Sequence, residues 1–503
     1  MKISKLVLST AVYLALSATS YADKASDTVN MAFLKELESA DVFFNTAREG
    51  LLLNNSVWDG LLYRDPDSGE YKGNLAESWE WINDTTIEFK LRKGIKFHNG
   101  EPFNADDVVY TVNFVSDKAN GVKSQTNVSW MDHAEKVDDF TVRIIADAPF
   151  PAAEEFLAGP VAMYPNEYYA KVGPKGMAAH PVGTGPFKVT ELEPGKHFVL
   201  EKNEDYFNGP KGMAKVSKVD IRTIPDMNTQ IAEFFNGTLD FLWNIPADQA
   251  EKLAAMGKFD VVNAPAIRVG YITMDAAGRF DPDGPMTKKK VRQAIYHAID
   301  RKAIVEALVK GSSTVIDSAC SPVQFACAQD LPTYDYDPAK AKALLAEAGY
   351  PDGFTTDFYA YRNRPYAEAM MGFLNEVGIK TNFSYLKYAA LREKRAKGEV
   401  PISFQTWGSY SIADASAITS EFFTGGDWDD ARDPEIKEWL TEADKTTDKE
   451  ARKALYKKAL TKIVEEAYWV PMFTYNVNYA MSKELDYKAT PDELVRFFTF
   501  GWK

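Results

Sequence analysis

Apolar and polar residues alternate along residues 86–92, where Ile87, Phe89 and Leu91 fall on one side of an extended chain and polar residues on the other. Alternation with a period of two residues predicts a strand that buries one face. Residues 96–100, which follow, include the turn formers Asn99 and Gly100. The pattern therefore predicts a half-buried strand that ends in a turn.

A helix is predicted over residues 105–115, shortly after this turn. Asn104 has the short polar side chain that caps a first helical turn. Asp107 stands at the third helical position, beside the positive end of the helix dipole. Strand, turn and capped helix thus follow one another in this part of the chain.

Two further helices are predicted from helical spacing and from end signals. The first covers residues 288–308, and the second begins at Asp337-Pro338 and ends at Gly349. Helices alternate with short strands along the chain, which predicts mixed α/β lobes. The apolar face of the first helix is formed by Val291, Ala294, Ile295, Ala298 and Ile299.

Two closely spaced glycines, Gly183 and Gly185, precede an alternating stretch that ends near Leu200. Nucleotide-binding loops need GxGxxG between a strand and a helix, or GxxxxGK[ST], and the sequence has neither. We interpret the segment as a tight turn that leads into a strand.

The chain has 503 residues, of which 45% are hydrophobic, so it is long enough for two or three domains with substantial cores. Its formal net charge is −14. A surplus of acidic groups argues against nucleic acid or an anionic lipid surface as a partner.

The first residues predict export. Lys2 and Lys5 precede an apolar run of about 13 residues, shorter than the roughly 17–25 that cross a bilayer, and Ser20-Tyr21-Ala22 has the small-x-small form of a cleavage site. No cysteine follows the run, where a bacterial lipoprotein would be acylated. We expect residues 1–22 to be a signal peptide, cleaved after about Ala22, and the remainder to be a soluble periplasmic protein.

Cys320 and Cys327 are the two cysteines of the chain, and an oxidising compartment favours a disulfide across this short loop over two free thiols. Catalytic signatures are absent from the sequence: the histidines form no HExxH pair, the cysteines no CxxC, and there is no GxSxG elbow. We therefore expect a protein that is not an enzyme and that holds no metal or cofactor.

Several blocks, in order, resemble one known family, the bacterial extracellular solute-binding proteins of the peptide/nickel/opine class (family 5) that serve ABC importers. The resemblance spans nearly the whole chain after residue 22. The blocks are Ala76-Glu77-Ser78-Trp79, residues 87–92, residues 94–100, residues 103–108, residues 183–187, Val291-Arg292-Gln293-Ala294, residues 298–301, residues 336–341 and Ala348-Gly349-Tyr350.

The resemblance implies a two-lobe α/β clamshell of the periplasmic-binding-protein kind (type II, cluster C-like), with an extra subdomain in lobe I. Ligand would bind between the lobes, and lobe closure would be read by the membrane permease. Hinge crossings are expected near residues 268–271 and 473–475. The implied boundaries are residues 23–55, 183–270 and 476–503 for lobe I, 56–182 for the extra subdomain and 271–475 for lobe II.

Similarity to dipeptide-binding members places Arg364 on an arginine that those proteins use for the peptide carboxylate, with Arg362 as a neighbour. The alternative is that both arginines form ion pairs at the surface or within a lobe. Peptide-binding relatives also carry an aspartate three residues after a tryptophan, for the peptide amino group. Trp407 matches the tryptophan, and Tyr410 stands where the acid is expected.

Asp414 is the next acid, and it is either a replacement for the missing aspartate or a structural cap. Ser409 and Tyr410 favour hydrogen bonding to a neutral or anionic polar ligand, or stacking against a ring. Trp243 and Tyr271 are candidate contacts near the cleft, with core packing as the alternative.

The expected function is that of the periplasmic substrate-binding component of an ABC importer. Its ligand would be an oligopeptide or a peptide-like or opine-like carboxylate, which the protein would deliver, as a monomer, to an inner-membrane permease. The alternatives are a sugar-containing or other non-peptide solute, or a ligand sensor without a transport role.

Overall fold

The computed structural model describes residues 24–45 and 47–503. The predicted signal peptide and its cleavage site lie outside these residues. Among the helices described, none combines the length and the apolar character that crossing a membrane requires.

The elements alternate between helix and strand along most of the chain. The strands are β1 Thr28–Phe33, β2 Leu62–Arg64, β3 Tyr71–Gly73, β4 Ala76–Asn83, β5 Thr86–Leu91, β6 Met131–Asp138, β7 Thr141–Ala146, β8 Phe187–Glu193, β9 His197–Lys202, β10 Lys218–Thr223, β11 Phe241–Trp243, β12 Phe259–Met274, β13 Phe354–Ala360, β14 Ile379–Tyr385, β15 Ile402–Trp407, β16 Trp469–Ser482, β17 Leu485–Asp486 and β18 Gly501–Trp502.

The α-helices are α1 Arg48–Val57, α2 Ala105–Ser116, α3 Gln125–Val128, α4 Ala153–Ala158, α5 Asn166–Ala179, α6 Met227–Phe235, α7 Ala247–Ala255, α8 Lys289–Ala298, α9 Arg301–Ile304, α10 Pro338–Glu347, α11 Arg364–Glu376, α12 Tyr388–Ala396, α13 Ser416–Phe423, α14 Pro434–Ala443 and α15 Lys449–Glu465. Short 3-10 turns include Val42–Phe44 and Ser409–Ser411, and Val305–Val309 is a π-helical turn.

A ten-stranded mixed sheet runs through both lobes in the order β14-β13-β15-β12-β16-β11-β1-β10-β9-β8. Lobe I contains the end with β1 and β8–β11, and lobe II the end with β13–β15. The two lobes share the long antiparallel pair β12 and β16.

Strands β12 and β16 are irregular where they pass from one lobe to the other. Their register shifts between Pro265 and Val269 and again between Gly270 and Tyr271. Such shifts bend a strand pair and interrupt its ladder. Both lie close to the expected crossing at residues 268–271.

The extra subdomain is built on a four-stranded antiparallel sheet, β4-β5-β7-β6. The predicted strand and capped helix are confirmed here as β5 and α2. Asn104 accepts the backbone N–H of Asp106, and the Asp107 carboxylate accepts that of Asn104, which completes a capping box.

The two glycines after residue 182 are needed for close packing. A Cβ on Gly183 would lie 2.1 Å from the Val57 carbonyl oxygen, and one on Gly185 would lie 2.6 Å from that of Ser56. The following stretch was predicted as one strand but is the hairpin β8–β9, because Pro194-Gly195 forms a turn in which Gly195 has φ +74°.

The predicted helix over residues 288–308 is divided. Helix α8 ends at Ala298, and Asp300 caps the new helix α9 by accepting the backbone N–H of Ala303. The prediction was too long because an apolar face at helical spacing continues through the break. The helix from Pro338 is confirmed as α10, with Asp337 accepting the Lys340 N–H. The predicted Cys320–Cys327 disulfide is confirmed as well.

Candidate functional site

A cavity lies where the two lobes face each other. Lobe I contributes α1, β2, α4 and residues 492–496 to its walls, and lobe II contributes residues 410–412. The lining side chains that bear polar or aromatic groups include Asn54, Trp58, Tyr63, Arg64, Glu155, Lys211, Tyr410, Ser411, Asp492 and Arg496. The enclosed space is about 80 Å³, well below the roughly 300–1,000 Å³ of a small-molecule pocket. In this arrangement of the lobes the cavity is therefore too small to enclose a ligand of that size.

Glu155 connects the lobes at one side of this cavity. Its Oε1 accepts the backbone N–H of Ala413 at 2.7 Å, while Oε2 accepts the Tyr71 hydroxyl at 2.7 Å and lies 3.3 Å from Nε of Arg64. Burial raises the pKa of Glu155, although Arg64 and the two hydrogen bonds oppose this. A carboxylate on α4 thus holds the backbone of lobe II.

Arg48 and Ser411 connect the lobes at a second point. Nη1 of Arg48, at the start of α1, donates to Oγ of Ser411, and this hydroxyl donates to the backbone oxygen of Asp492 at 2.6 Å. Ser409, Tyr410 and Ser411 all have positive φ, at 49°, 50° and 65°. Such residues occupy the left-handed region only when surrounding contacts hold them there.

Two arginines pair with one buried glutamate beside this contact, and the charge of a third also acts on it. Nη2 of Arg48 lies 2.6 Å from Oε2 of Glu493, and Nε of Arg268 lies 3.5 Å from Oε1. Burial raises the pKa of Glu493, but the charges of Arg268, Arg48 and Arg362 outweigh it and hold the pKa below its usual value. One carboxylate among three guanidinium groups leaves an excess of positive charge here.

The segment after Thr490 forms its own buried network. Arg496 donates to both carboxylate oxygens of Asp492 and to the hydroxyl of Thr490. Both charges are therefore compensated within the segment. These bonds hold the backbone on either side of Glu493, which itself has a positive φ of 63°.

The disulfide loop supports the lobe II side of the cavity. Nε2 of Gln324 donates to the backbone oxygens of Ile412 and Asp414, both at 3.0 Å. Phe325 exchanges backbone hydrogen bonds with Ala413 and Ala415, at 2.8 and 3.1 Å. Residues 412–415 thus form a short ladder with the loop that Cys320 and Cys327 close.

Trp407, Ser409 and Tyr410, which the resemblance singled out, lie together at this edge of lobe II. The rings of Trp407 and Tyr410 meet edge to face at 5.1 Å, and Trp407 Nε1 donates to the Ala417 oxygen. Ser409 is 1% exposed, and its hydroxyl has no hydrogen-bond partner in the described part of the chain. Tyr410 lines the cavity and remains 39% exposed.

Asp414 forms a buried ion pair within lobe II. Its two carboxylate oxygens accept from Nη1 and Nη2 of Arg452 at 2.6 and 2.9 Å, and one also accepts the Ser416 N–H at the start of α13. A buried bidentate ion pair of this kind leaves little capacity for a ligand ammonium group.

The two predicted arginines lie in different surroundings. Arg362 contributes to the field on Glu493 and lies with Cζ 5.9 Å from the Tyr475 ring centre. Arg364 begins α11, where Nε pairs with Glu368 at 2.7 Å and the guanidinium lies over Phe383. Its side chain is 56% exposed. Arg362, rather than Arg364, therefore acts on the charge of Glu493, and neither arginine lines the interlobe cavity.

The two other predicted aromatics are packed inside the lobes. Tyr271 is 2% exposed and stacks on Trp469 with ring centres 3.7 Å apart. Trp243 packs edge to face on Phe33 at 5.7 Å, and neither it nor Tyr271 lines the interlobe cavity.

Sequence reasoning missed Arg48, Glu155, Arg268 and Glu493. Each is an ordinary charged residue in the sequence, and no local pattern separates it from a solvent-exposed one. Their proximity arises only because α1, α4, β12 and the C-terminal segment meet. Within the described residues, no group of three histidine, cysteine or acidic side chains is arranged to hold a metal ion.

The chain is similar to known proteins along nearly its whole length. The sequence profile of the bacterial extracellular solute-binding proteins, family 5 (middle region), matches residues 70–430. The glutathione-binding protein GsiB of Pectobacterium atrosepticum is 31% identical over 459 residues, 88% of either chain. GsiB of Salmonella typhi is 31% identical over 447 residues, 86% of this chain and 85% of that protein.

Solved structures show the same fold. NikA from Brucella suis, in complex with Fe(III)-EDTA, superposes with a TM-score of 0.84 at 24% identity, covering 95% of this chain and 100% of that one. DppA from Helicobacter pylori, in complex with the peptide STSA, superposes with a TM-score of 0.80 at 24% identity, covering 94% of this chain and 98% of that one. The two-lobe α/β architecture expected from the sequence is thereby confirmed.

Proposed function

This chain belongs to the bacterial extracellular solute-binding proteins of family 5, and from that premise we propose that it captures a short peptide or peptide-like carboxylate between its lobes. Proteins of this family are substrate-binding components of ABC importers and are not enzymes. Their partners are a small ligand or peptide and a membrane permease.

The excess positive charge beside Glu493 carries the proposal. Arg48, Arg268 and Arg362 act on this one carboxylate. Guanidinium groups bind carboxylates through paired N–H donors, and such bonds strengthen where water is excluded. A ligand carboxylate between the lobes would balance the remaining charge and, by contacting both lobes, favour closure.

The relatives support a peptide-like ligand. Glutathione, which GsiB proteins are named for binding, is a tripeptide with two carboxylates and one ammonium group. Tyr410 stands where dipeptide-binding members carry an acid, so we propose weak binding of ordinary dipeptides. The resemblance assigns the ligand carboxylate to Arg364, whereas the charges around Glu493 favour Arg362 for this role.

The organisation of the whole chain is proposed on the same basis. Residues 1–22 are a signal peptide, and the remainder works as a periplasmic monomer. Lobe II is residues 271–475, and the extra subdomain is residues 56–182. The register shifts in β12 and β16 support a hinge at the crossings between the lobes.

A ligand panel tests the proposal. Native mass spectrometry of the purified protein, followed by titration calorimetry with glutathione, unmodified dipeptides, opines and neutral oligosaccharides, should show binding of a peptide-like carboxylate. A ligand at 100 times its Kd should add about 2.7 kcal/mol of stability. Tight binding of a neutral oligosaccharide, with no response to any carboxylate, would overturn the proposal.

A further inference from the structure

Three consecutive residues at the edge of lobe II have backbones of positive φ. Ser409, Tyr410 and Ser411, which follow β15, have φ of 49°, 50° and 65°. Glycine adopts this region readily and asparagine and aspartate tolerate it, whereas a Cβ makes it costly for other residues. Along residues 24–45 and 47–503, no other two non-glycine residues of positive φ are adjacent. We call Ser409–Ser411 the cleft turn.

The cleft turn is fixed within lobe II on both of its sides. Before it, Trp407 is the last residue of β15 and pairs with Val269 of β12. After it, Phe325 of the disulfide loop accepts no slack from the chain, because its N–H donates to the Ala413 oxygen at 2.8 Å. Both flanks belong to lobe II, so a change of backbone conformation is confined to the few residues between them.

Lobe I contacts the cleft turn from across the cavity. Nη1 of Arg48 donates to Oγ of Ser411, which donates to the backbone oxygen of Asp492 at 2.6 Å. The guanidinium of Arg268 lies against the residue before the turn, since a Cβ on Gly408 would be 2.7 Å from its Nη2. These contacts hold the turn only while the lobes are together.

The cleft turn also leaves a buried hydroxyl without a partner. Ser409 is 1% exposed, and its Oγ makes no hydrogen bond within the described part of the chain. An unpaired buried hydroxyl is a cost that adds to the cost of the left-handed backbone. With the lobes joined, the turn therefore carries two costs that another conformation of the same residues would avoid.

We propose that the cleft turn is a strained closure latch, which lobe I holds in its costly conformation when the lobes join and which relaxes when they separate. Its strain acts against the ligand, which must supply the free energy that closure requires. The latch thereby lowers ligand affinity and speeds release towards the permease. The assignment rests on the proposed function, because it describes how the same cleft is regulated.

Bonds across the cleft and strain in the turn act in opposite directions. Glu155 and Arg48 favour joined lobes through their bonds to Ala413 and Ser411, while the conformation of the turn favours separation. A ligand shifts such an equilibrium only by the difference between its affinities for the two arrangements. A modest bias built into the protein therefore changes how long the ligand is retained.

Glycine at position 409 removes the Cβ and with it the backbone cost. Ser409→Gly should bind the tightest ligand of the panel, with glutathione as the first probe, about 3–10 times more tightly than Ser409→Ala. Both variants lack the hydroxyl, so the difference between them isolates the backbone. Lost packing around the missing Cβ would oppose this gain rather than produce it. Calorimetry measures Kd, and stopped-flow measurements should show dissociation slowed by a similar factor.

Ala467→Gly is the matched control. Ala467 also has φ of 50° and is buried in lobe II, between α15 and β16, but it does not line the interlobe cavity. Its replacement should leave Kd within about 2-fold, whatever it does to the free energy of unfolding, because distant sites act independently. The control separates relief of strain in the latch from relief elsewhere in the same lobe.

Equal Kd in Ser409→Gly and Ser409→Ala would overturn the latch. A gain in the unfolding free energy of ligand-free Ser409→Gly, without a gain in affinity, would do the same, because the strain would then be present in both arrangements. Either result leaves the proposed function standing.

Small-angle X-ray scattering of the ligand-free variants gives the fraction of molecules with joined lobes and depends on no ligand. If the whole carboxylate panel fails to bind, the proposed function is removed. The latch then stands only if the joined fraction is larger in Ser409→Gly than in Ser409→Ala, and equal fractions remove it as well.

Discussion

Oε1 of Glu155 accepts the backbone N–H of Ala413 at 2.7 Å, which joins residues 258 positions apart on opposite sides of the interlobe cavity. The bond exists only when the lobes are together. We therefore expect Glu155→Ala to weaken ligand binding by about 10-fold, because removing the acceptor leaves buried donors unpaired at a cost of roughly 1–3 kcal/mol. Titration calorimetry measures the change in Kd.

Two variants separate closure from general damage. Glu155→Gln keeps an oxygen for the Ala413 N–H and should recover most of the affinity. Glu154→Ala removes the neighbouring acid on the same helix, which accepts from Trp79 instead, and should leave the Kd within about 2-fold. Equal affinity in Glu155→Ala and wild type would show that this bond does not contribute to closure.

The disulfide should contribute to ligand affinity as well as to stability. Replacing Cys320 and Cys327 with serine should lower the free energy of unfolding by about 2–3 kcal/mol, as expected for a short loop. The loop also holds residues 412–415 through Gln324 and Phe325. We therefore expect a weaker Kd at temperatures where circular dichroism shows the variant still folded.

A comparison without mutation tests the same idea. Wild-type protein treated with a reductant should lose affinity in parallel with loss of the disulfide, and reoxidation should restore it. An unchanged Kd after complete reduction, verified by mass, would show that the disulfide stabilises the fold but does not affect ligand affinity.

Local signals in the sequence predicted much of the fold. Asn104 and Asp337 cap the helices expected after them, because each acts on residues within one turn. The division at Asp300 and the hairpin turn at Gly195 were missed, since the apolar pattern continues through both. An element boundary that depends on a single capping or turn residue is therefore easily missed when the apolar pattern continues across it.

The candidate site was far less predictable. Trp407 and Tyr410 do lie at the cavity edge, where the resemblance directed attention. Glu155 and Glu493 could not be found, because their partners lie 258 and 445 positions away in the chain. Only the folded chain brings such charges together.

Variants of Arg362 and Arg364 test which of the two arginines binds the ligand carboxylate. The family resemblance favours Arg364, and the structure favours Arg362. Arg362 adds to the positive field at Glu493, whereas Arg364 is exposed and paired with Glu368. We expect Arg362→Gln to weaken binding of a carboxylate ligand by about 10–100-fold, the range for a charge-assisted bond. Arg364→Gln should change it by less than about 3-fold, since exposed ion pairs contribute little.

Calorimetry on the two variants, with a neutral-ester form of the ligand as the control, decides between them. Loss of binding in Arg364→Gln alone would support the position suggested by dipeptide-binding relatives. Loss in neither variant would place the carboxylate on Arg48 or Arg268.

His98 links the extra subdomain to lobe I through both nitrogens of its ring. These two hydrogen bonds require the neutral ring. Nδ1 accepts the backbone N–H of Gly183 at 3.2 Å, so Nε2 carries the proton and donates to the Gly185 oxygen at 3.0 Å. A second proton would have to bind Nδ1, where its N–H would face the N–H of Gly183 and the hydrogen bond from Gly183 would be lost. Burial accordingly lowers the pKa of His98 from 6.5 to about 4, against the Gly185 hydrogen bond.

A histidine with a depressed pKa stabilises the fold above its unfolded pKa of 6.5, and that contribution is lost as the pH falls towards 4. We expect wild-type protein to lose up to about 3 kcal/mol more unfolding free energy than His98→Asn between pH 7 and pH 4. Urea denaturation at half-unit pH steps measures the difference. His180→Asn, at an exposed histidine, is the matched control and should follow the wild-type curve. Parallel curves for wild type and His98→Asn would mean that the ring takes up its second proton without cost, and the hydrogen bond from Gly183 would then not fix its state.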